Sequence, residues 1–342
     1  MNPSGQGAAA LGPLPDPALL AAALVAGDRA ALGRAITLVE STLPEHQALA
    51  QALLTQVLPR AGGAIRVGTT GVPGGGKSSL IERLGLLLLA RGHRVAVLAV
   101  DPSSQVSGGS LLGDKTRMAE LGRHPGAFVR PSPAGGALGG VAGRTRESIP
   151  LLEAAGYDVL LVETVGVGQS ETVVAGMVDC FLVLILPGAG DELQGVKRGI
   201  MELADVVAVT KADGDNLPRA KLARAQLQAA LHLLSPRYSG WTVPVIGCSA
   251  LDGSGLGELW DAVLAHRRYL EAADLLAPLR RQQARQWFLA LVDEGLRARL
   301  LSRPEVARLL EEAAADVEAG RIGPQAGAAR VLAALGAATG NG

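Results

Sequence analysis

The chain has 342 residues, enough for one large domain with helical extensions or for two domains. Lys plus Arg and Asp plus Glu both number 32, so net charge is zero, which argues against a nucleic-acid or anionic-membrane partner and leaves room only for a local basic patch. Hydrophobic residues make up 48% and aromatic residues only 3%, so the core must be built from Ala, Leu, Val and Ile.

Residues 1–17, rich in Gly, Ala and Pro, read as a loose lead-in without the basic and apolar regions of a signal peptide. Asp28 has the character of a helix N-cap, and Leu32, Ala35, Ile36 and Val39 follow at helical spacing. Pro44 ends that helix. A second pattern runs through Leu49, Ala52, Leu53 and Val57 and closes near Pro59. Gly62 and Gly63 separate this helical prelude from the first strand.

From residue 64 to about 250, apolar β-branched runs alternate with helical segments. Strands are expected at 64–69, 94–100, 157–162, 181–186, 205–210 and 243–248. Near-continuous apolar strands alternating with helices predict an α/β fold, a mostly parallel sheet covered by helices on both faces. Ligands of such sheets sit beyond the carboxyl ends of the strands.

The chemistry-bearing residues fall at those ends. After the first strand comes Gly71-Val72-Pro73-Gly74-Gly75-Gly76-Lys77-Ser78, which fits the phosphate-binding pattern G-x-x-x-x-G-K-[ST]. Glycine amides can wrap an anion because no Cβ blocks the approach, and the following helix adds its positive end. Lys77 is expected on the β- and γ-phosphates and Ser78 on Mg²⁺. The second strand ends in Asp101. A glycine-rich loop, 107–113, then leads to Asp114 and Lys115; it reads equally as a solvated loop or as one that moves with nucleotide state. The third strand ends in Glu163, with Gly166 three residues on: a carboxylate to hold Mg²⁺ through water and an amide to sense the γ-phosphate.

After the fourth strand, Pro187–Lys197 joins a Pro-Gly-Ala-Gly hinge to a polar cluster suited to charges on another protein, the plain alternative being a solvated loop and helix start. The fifth strand runs into Thr210-Lys211-Ala212-Asp213, the form of the guanine-specifying [NT]-K-x-D element. An aspartate there accepts from N1–H and the exocyclic amine of guanine together, which adenine cannot offer. Cys248-Ser249-Ala250 ends the last strand and matches a backbone loop that meets the guanine carbonyl. Beyond Leu256 the pattern turns helical and stays so. A charged stretch from Arg267 to Leu301 is interrupted at Pro304, resumes at Val306, Leu309 and Leu310, and gives way to an Ala/Gly-rich tail. So long an arm suggests packing against a second subunit, the alternative being an arm folded back on its own domain.

The two cysteines, Cys180 and Cys248, lie in apolar runs and read as buried structural residues, and the five histidines have no metal-ligand spacing. No apolar run is long enough to span a bilayer, so a cytoplasmic protein is expected.

The stretches G-V-P-G-G-G-K-S-S, L-A-V-D-P-S-S, G-G-S-L-L-G-D-K-T-R-M, V-E-T-V-G-V-G-Q-S-E and P-G-A-G-D-E-L-Q-G-V-K-R-G resemble the MeaB/ArgK/MMAA family, P-loop GTPases of the SIMIBI class. The resemblance runs from about residue 29 to 270 and implies a GTPase metallochaperone. Its partner would be an adenosylcobalamin-dependent acyl-CoA mutase, typically methylmalonyl-CoA mutase, whose cofactor delivery it gates and which it protects. An older family name, lysine/arginine/ornithine transport kinase, finds no acceptor site among these residues.

The resemblance implies a catalytic set of Lys77, Asp101, Glu163 and Lys197, with Ser78, Asp101, Asp114 and Glu163 around Mg²⁺. It assigns Gly74, Gly75, Gly76, Lys77, Ser78, Ser79 and Gly166 to the phosphate side of GTP or GDP. Thr210, Lys211, Asp213, Ser249, Ala250 and Leu251 fall on the base side. Asp191, Glu192, Gln194 and Lys197 match the loop called switch III, which couples to the mutase. Three departures stand out. Gly75 replaces a common Val, which should loosen the loop. Gln105-Val106 interrupts a Ser/Thr-rich stretch. Thr210 replaces a common Asn, which puts one hydrogen bond in question.

The expected organisation is an N-terminal helical extension over 1–62, a GTPase domain over 63–268 and a C-terminal dimerisation arm over 269–342. Two other readings are a nucleotide-dependent scaffold and a metal-insertion GTPase of the same class. The latter wants a His/Cys cluster near the N-terminus, which the sequence lacks.

Overall fold

The computed structural model describes residues 16–100, 118–130, 140–164, 170–188, 198–233 and 237–337. These divide into two compact units, 1–283 and 284–342.

The first unit opens with three helices, α1 (Pro17–Val25), α2 (Arg29–Glu40) and α3 (Pro44–Val57). Asp28 is the N-cap of α2 as expected: its carboxylate accepts from the Ala30 and Ala31 amides at 2.7 and 3.1 Å. Pro44 stands in the first turn of α3, where its missing N–H costs nothing. Helix α1 has no counterpart in the sequence reading. It is apolar on all sides, so it carries no helical periodicity to be read.

The sheet has seven strands, all parallel: β1 (Ile65–Gly71), β2 (Val95–Val100), β3 (Ala127–Arg130), β4 (Val159–Thr164), β5 (Cys180–Ile185), β6 (Val206–Val209) and β7 (Val245–Gly247). Their order is β3-β2-β4-β1-β5-β6-β7. Six were expected; the seventh, β3, is a four-residue edge strand paired only with β2. Helices α4 (Lys77–Ala90), α5 (Ala119–Arg123), α6 (Gly140–Ala154), α7 (Ser170–Ala175), α8 (Arg198–Met201), α9 (Leu217–Leu231) and α10 (Leu256–Ala272) join the strands or follow the last of them.

Strands β2, β4, β5 and β6 read as near-continuous apolar runs because both faces are covered. On β4, Leu160 and Val162 face a core shared with Leu24, Ile36 and Leu53 of the N-terminal helices. Val159 and Leu161 face the other way, onto Leu80 and Leu84 of α4 and Trp260 and Val263 of α10.

Helix α10 does not run on into the next helix. It stops at Ala273, and Asp274 takes a left-handed φ of 54° before α11 (Leu276–Leu301) begins. The start of α11 is pinned by charge. Arg280 places Nε and Nη2 at 2.8 and 2.6 Å from the carboxylate of buried Asp179, and also donates to Ala64 O. Arg267 reaches the same carboxylate at 3.2 Å. Gln283 donates to Val178 O at 2.8 Å.

The second unit holds the rest of α11, then α12 (Pro304–Glu318) and α13 (Pro324–Ala337). Val306, Ala313 and Val331 form its small core with Leu300 and Leu309. Much of the Ala/Gly-rich tail is helix α13, whose small residues let it lie close against α12; a Cβ on Gly327 would stand 3.0 Å from Val317. Phe288, Val292 and Leu296 recur every four residues along α11, each at least two-fifths exposed.

Candidate nucleotide site

The site is built where the central strand β1 ends. Gly71 closes that strand against β5, where a Cβ would fall 2.6 Å from Leu184 O, so only glycine lets the loop leave here. Gly74 and Gly76 take φ of 76° and 84°, and Gly76 is the N-cap of α4 with no side-chain cap. The first-turn amides of α4 are therefore open to an anion. A Cβ on Gly75 would stand 3.0 Å from Val72 O, whose oxygen already accepts from the Gly75 amide.

Lys77, nearly buried, places Nζ 2.7 Å from Gly71 O and 3.2 Å from Val72 O. The ammonium is thus held over the loop by its own carbonyls. Ser78 Oγ donates to Glu163 Oε1 at 2.9 Å. Register explains the meeting: Thr69 of β1 pairs with Glu163 of β4, so the strand ends lie side by side. A hydroxyl and a carboxylate, oxygen donors only, suit Mg²⁺. Thr164 Oγ1 donates to Thr70 Oγ1 at 2.9 Å, tying the two strand ends beneath them.

The base side is joined to the phosphate side by one residue. Thr210 Oγ1 lies 2.8 Å from Gly75 O and 3.3 Å from Ile185 O. The hydrogen bond to the loop that Thr in place of Asn put in question is made. Lys211 takes a left-handed φ of 52°, and Asn216 Nδ2 donates to its carbonyl at 2.7 Å. Asp213 accepts from the hydroxyl of fully buried Ser249, which accepts in turn from the Leu251 amide at 3.0 Å. The Ala212 amide donates to Cys248 O, so the two loops continue the pairing of β6 with β7 beyond the strands.

Asp252 closes the second loop. Its carboxyl is held below the usual carboxylate range, first by the Ser254 amide, which donates at 2.9 Å. Burial pushes the Cys248 thiol up to about 12, which suits its expected structural role.

Of the expected site residues, Gly74, Gly75, Gly76, Lys77, Ser78, Ser79 and Glu163 meet around the phosphate loop. Thr210, Lys211, Asp213, Ser249, Ala250 and Leu251, expected on the base side, lie on two adjoining loops after β6 and β7. Asp101, Asp114, Gly166, Asp191, Glu192, Gln194 and Lys197 lie outside the described residues, as do Lys115 and Gln105-Val106. Two supporting residues escaped the sequence reading. Asn216 stands in a polar turn just past Asp213, the sort of position where an amide fixes backbone. Gly255 caps α10 at φ 71°, and a Cβ there would fall 2.0 Å from Gly247 O.

Residues 32–305 match the family model described as methylmalonyl Co-A mutase-associated GTPase MeaB. The probable GTPase Rv1496 of Mycobacterium tuberculosis is 55% identical over 313 residues, covering 92% of this chain and 93% of its own. GTPase ArgK of Escherichia coli is 47% identical over 88% of this chain and 91% of its own. A crystal structure titled LAO/AO transport system kinase superposes with a TM-score of 0.77 at 38% identity, over 95% of this chain and 99% of that one.

Proposed function

The chain belongs to the family of methylmalonyl-CoA mutase-associated GTPases, and on that premise we propose that it is a hydrolysis-driven chaperone of an adenosylcobalamin-dependent acyl-CoA mutase. It is a P-loop GTPase of the SIMIBI class. In this reading it couples GTP hydrolysis to cofactor delivery to the mutase and to the mutase's protection. The observation that carries the reading is the family match over residues 32–305, which embraces every residue of the phosphate and base sides.

The residues divide the work. Lys77 exchanges its hold on Gly71 O and Val72 O for phosphate oxygens. The open amides of α4 take the same charge. Ser78 and Glu163 would hold Mg²⁺. The ion, when bound, neutralises charge on the β- and γ-phosphates. Asp213, aimed by Ser249, reads guanine, and Thr210 transmits the position of the base element to the phosphate loop. Asp101, Asp114 and Gly166 complete the metal and switch groups, and the segment Asp191–Lys197 meets the mutase.

A homodimer is part of the proposal. The exposed stripe Phe288, Val292 and Leu296 on α11 supports it, since apolar side chains repeated along one helix face are a natural subunit contact.

Linkage supplies the test: if the mutase changes the affinity for GTP relative to GDP, the bound nucleotide must change mutase affinity by the same factor. Mutase affinity is to be measured by calorimetry with the GTPase loaded with GDP and then with a non-hydrolysable GTP analogue. The expected result is at least a fivefold difference, on the order of 1 kcal/mol of coupling. Equal affinities would remove the chaperone cycle.

A further inference from the structure

At the end of the sheet opposite the nucleotide loop, side chains from three elements converge. Cys180 opens β5, Asp205 stands just before β6, and His266 comes from α10. One ligand atom from each, a sulfur, a carboxylate oxygen and an imidazole nitrogen, lie within 4.8 Å of one another. All three residues are buried, none more than 2% exposed.

The two oxygens of Asp205 are used differently. Oδ2 accepts from the Phe181 amide at 2.8 Å and from Arg237 at 3.3 Å. Oδ1 has no hydrogen-bond partner among the described residues, nor has either ring nitrogen of His266. Oδ1 and Nε2 face each other at 3.6 Å, too far for a hydrogen bond. A simple imidazole–carboxylate latch would close to about 2.8 Å. Ligands of a tetrahedral metal with bonds of about 2.1 Å stand about 3.4 Å apart. The observed spacing is that of two ligands.

We propose that Cys180, Asp205 and His266 bind a divalent transition metal, zinc before others, and so tie β5, β6 and α10 together. The mixed sulfur, oxygen and nitrogen set suits an ion of borderline softness and excludes Mg²⁺ and Ca²⁺, which want oxygen. Burial, with Arg237 nearby, lowers the His266 imidazole to about 4, so it is neutral and its lone pair is free to bind. Burial also keeps the Cys180 thiol protonated without metal. Burial raises the Asp205 carboxyl to about 7 as well, so binding forms a metal–sulfur bond, breaks the S–H bond and releases that proton, with any proton on Asp205, to solvent. Thiolate and carboxylate together balance the charge of the ion. Phe181 and Arg237 hold the outer oxygen and so fix the inner one, the usual support of a ligating carboxylate.

A cavity of about 260 Å³ is lined by Ala204, Trp241 and Arg237, the last of which also donates to Asp205 Oδ2. Trp241 also closes the site: its indole N–H donates to Asp205 O at 2.9 Å and its ring packs 4.9 Å from that of His266.

The experiment uses the full chain, produced with zinc and dialysed into metal-free buffer. Zinc per chain is measured by mass spectrometry, and Co²⁺ is then exchanged in to look for thiolate-to-cobalt charge-transfer absorption. The Mg²⁺ position at Ser78 and Glu163 has only oxygen donors and cannot give that band. The expected result is about one zinc per chain and a cobalt–thiolate band, both reduced about tenfold or more in Cys180→Ala and His266→Gln, with GDP affinity unchanged. Zinc below about a tenth of an ion per chain with no cobalt band in the unaltered protein overturns the proposal. So does a band that survives both substitutions. The measurements on the unaltered chain decide even if a variant fails to fold.

Discussion

Asp213 is aimed by Ser249, and this bond is the part of the site that motif spacing does not reveal. The sequence pattern names Asp213 and places Ser249 on a loop beside the base. That the two share a hydrogen bond depends on the pairing of β6 with β7, a long-range contact no local pattern encodes. Asp213→Ala removes the acceptor for two guanine donors. It should erase the preference for GDP over ADP, read by calorimetry with both nucleotides; a preference that persists would move base recognition elsewhere. Thr210→Val deletes the hydroxyl on Gly75 O. One hydrogen bond is worth about 1 kcal/mol, so GDP affinity should fall about fivefold, with Thr210→Asn restoring it. Unchanged binding by the valine variant would show that the two halves of the site are not joined through this residue.

Among the elements, the strongly periodic ones are legible in the sequence and the short or small-residue ones are not. All six expected strands are present; β2, β4, β5 and β6 are near-continuous apolar runs, the pattern of buried parallel strands. Strand β3 is an edge strand, Ala127–Arg130, whose apolar run ends after Val129 and whose last two residues are only partly buried, so it lacks the unbroken run that marks a central strand. Helix α13 is hidden because Ala and Gly read as tail, whereas against α12 the small side chains are what permit packing. The anchoring of α11 is also invisible: Arg280 and Asp179 lie 101 residues apart in the chain. Arg280→Ala should destabilise the protein by about 3 kcal/mol in urea unfolding, because among the described residues buried Asp179 would keep only Arg267 as a charged partner. A loss below about 0.5 kcal/mol, the level of an exposed pair, would contradict this anchoring.

For the whole molecule, the anchor decides where the arm can be cut. Ending the chain after Tyr269 would remove buried Leu270 and the Asp179 pair; ending it after Gln283 spares both. A chain ended there should be monomeric by light scattering and still bind GDP. A dimer from that truncated chain would take the subunit contact away from α11–α13. Among the described residues no helix is long and apolar enough to cross a membrane. In the proposed role the site would position phosphate and base, with Lys77 as a cation at the loop, and phosphoryl transfer depends mainly on positioning and charge. Intrinsic turnover should therefore be slow and open to improvement by a partner that reorganises the segment after β5. The most direct test is the GTP hydrolysis rate of the full chain titrated with methylmalonyl-CoA mutase. The account predicts a saturable rise of at least about tenfold, levelling off when the partner is in stoichiometric excess. A rate that stays flat across the titration, with GTP still bound, would contradict it.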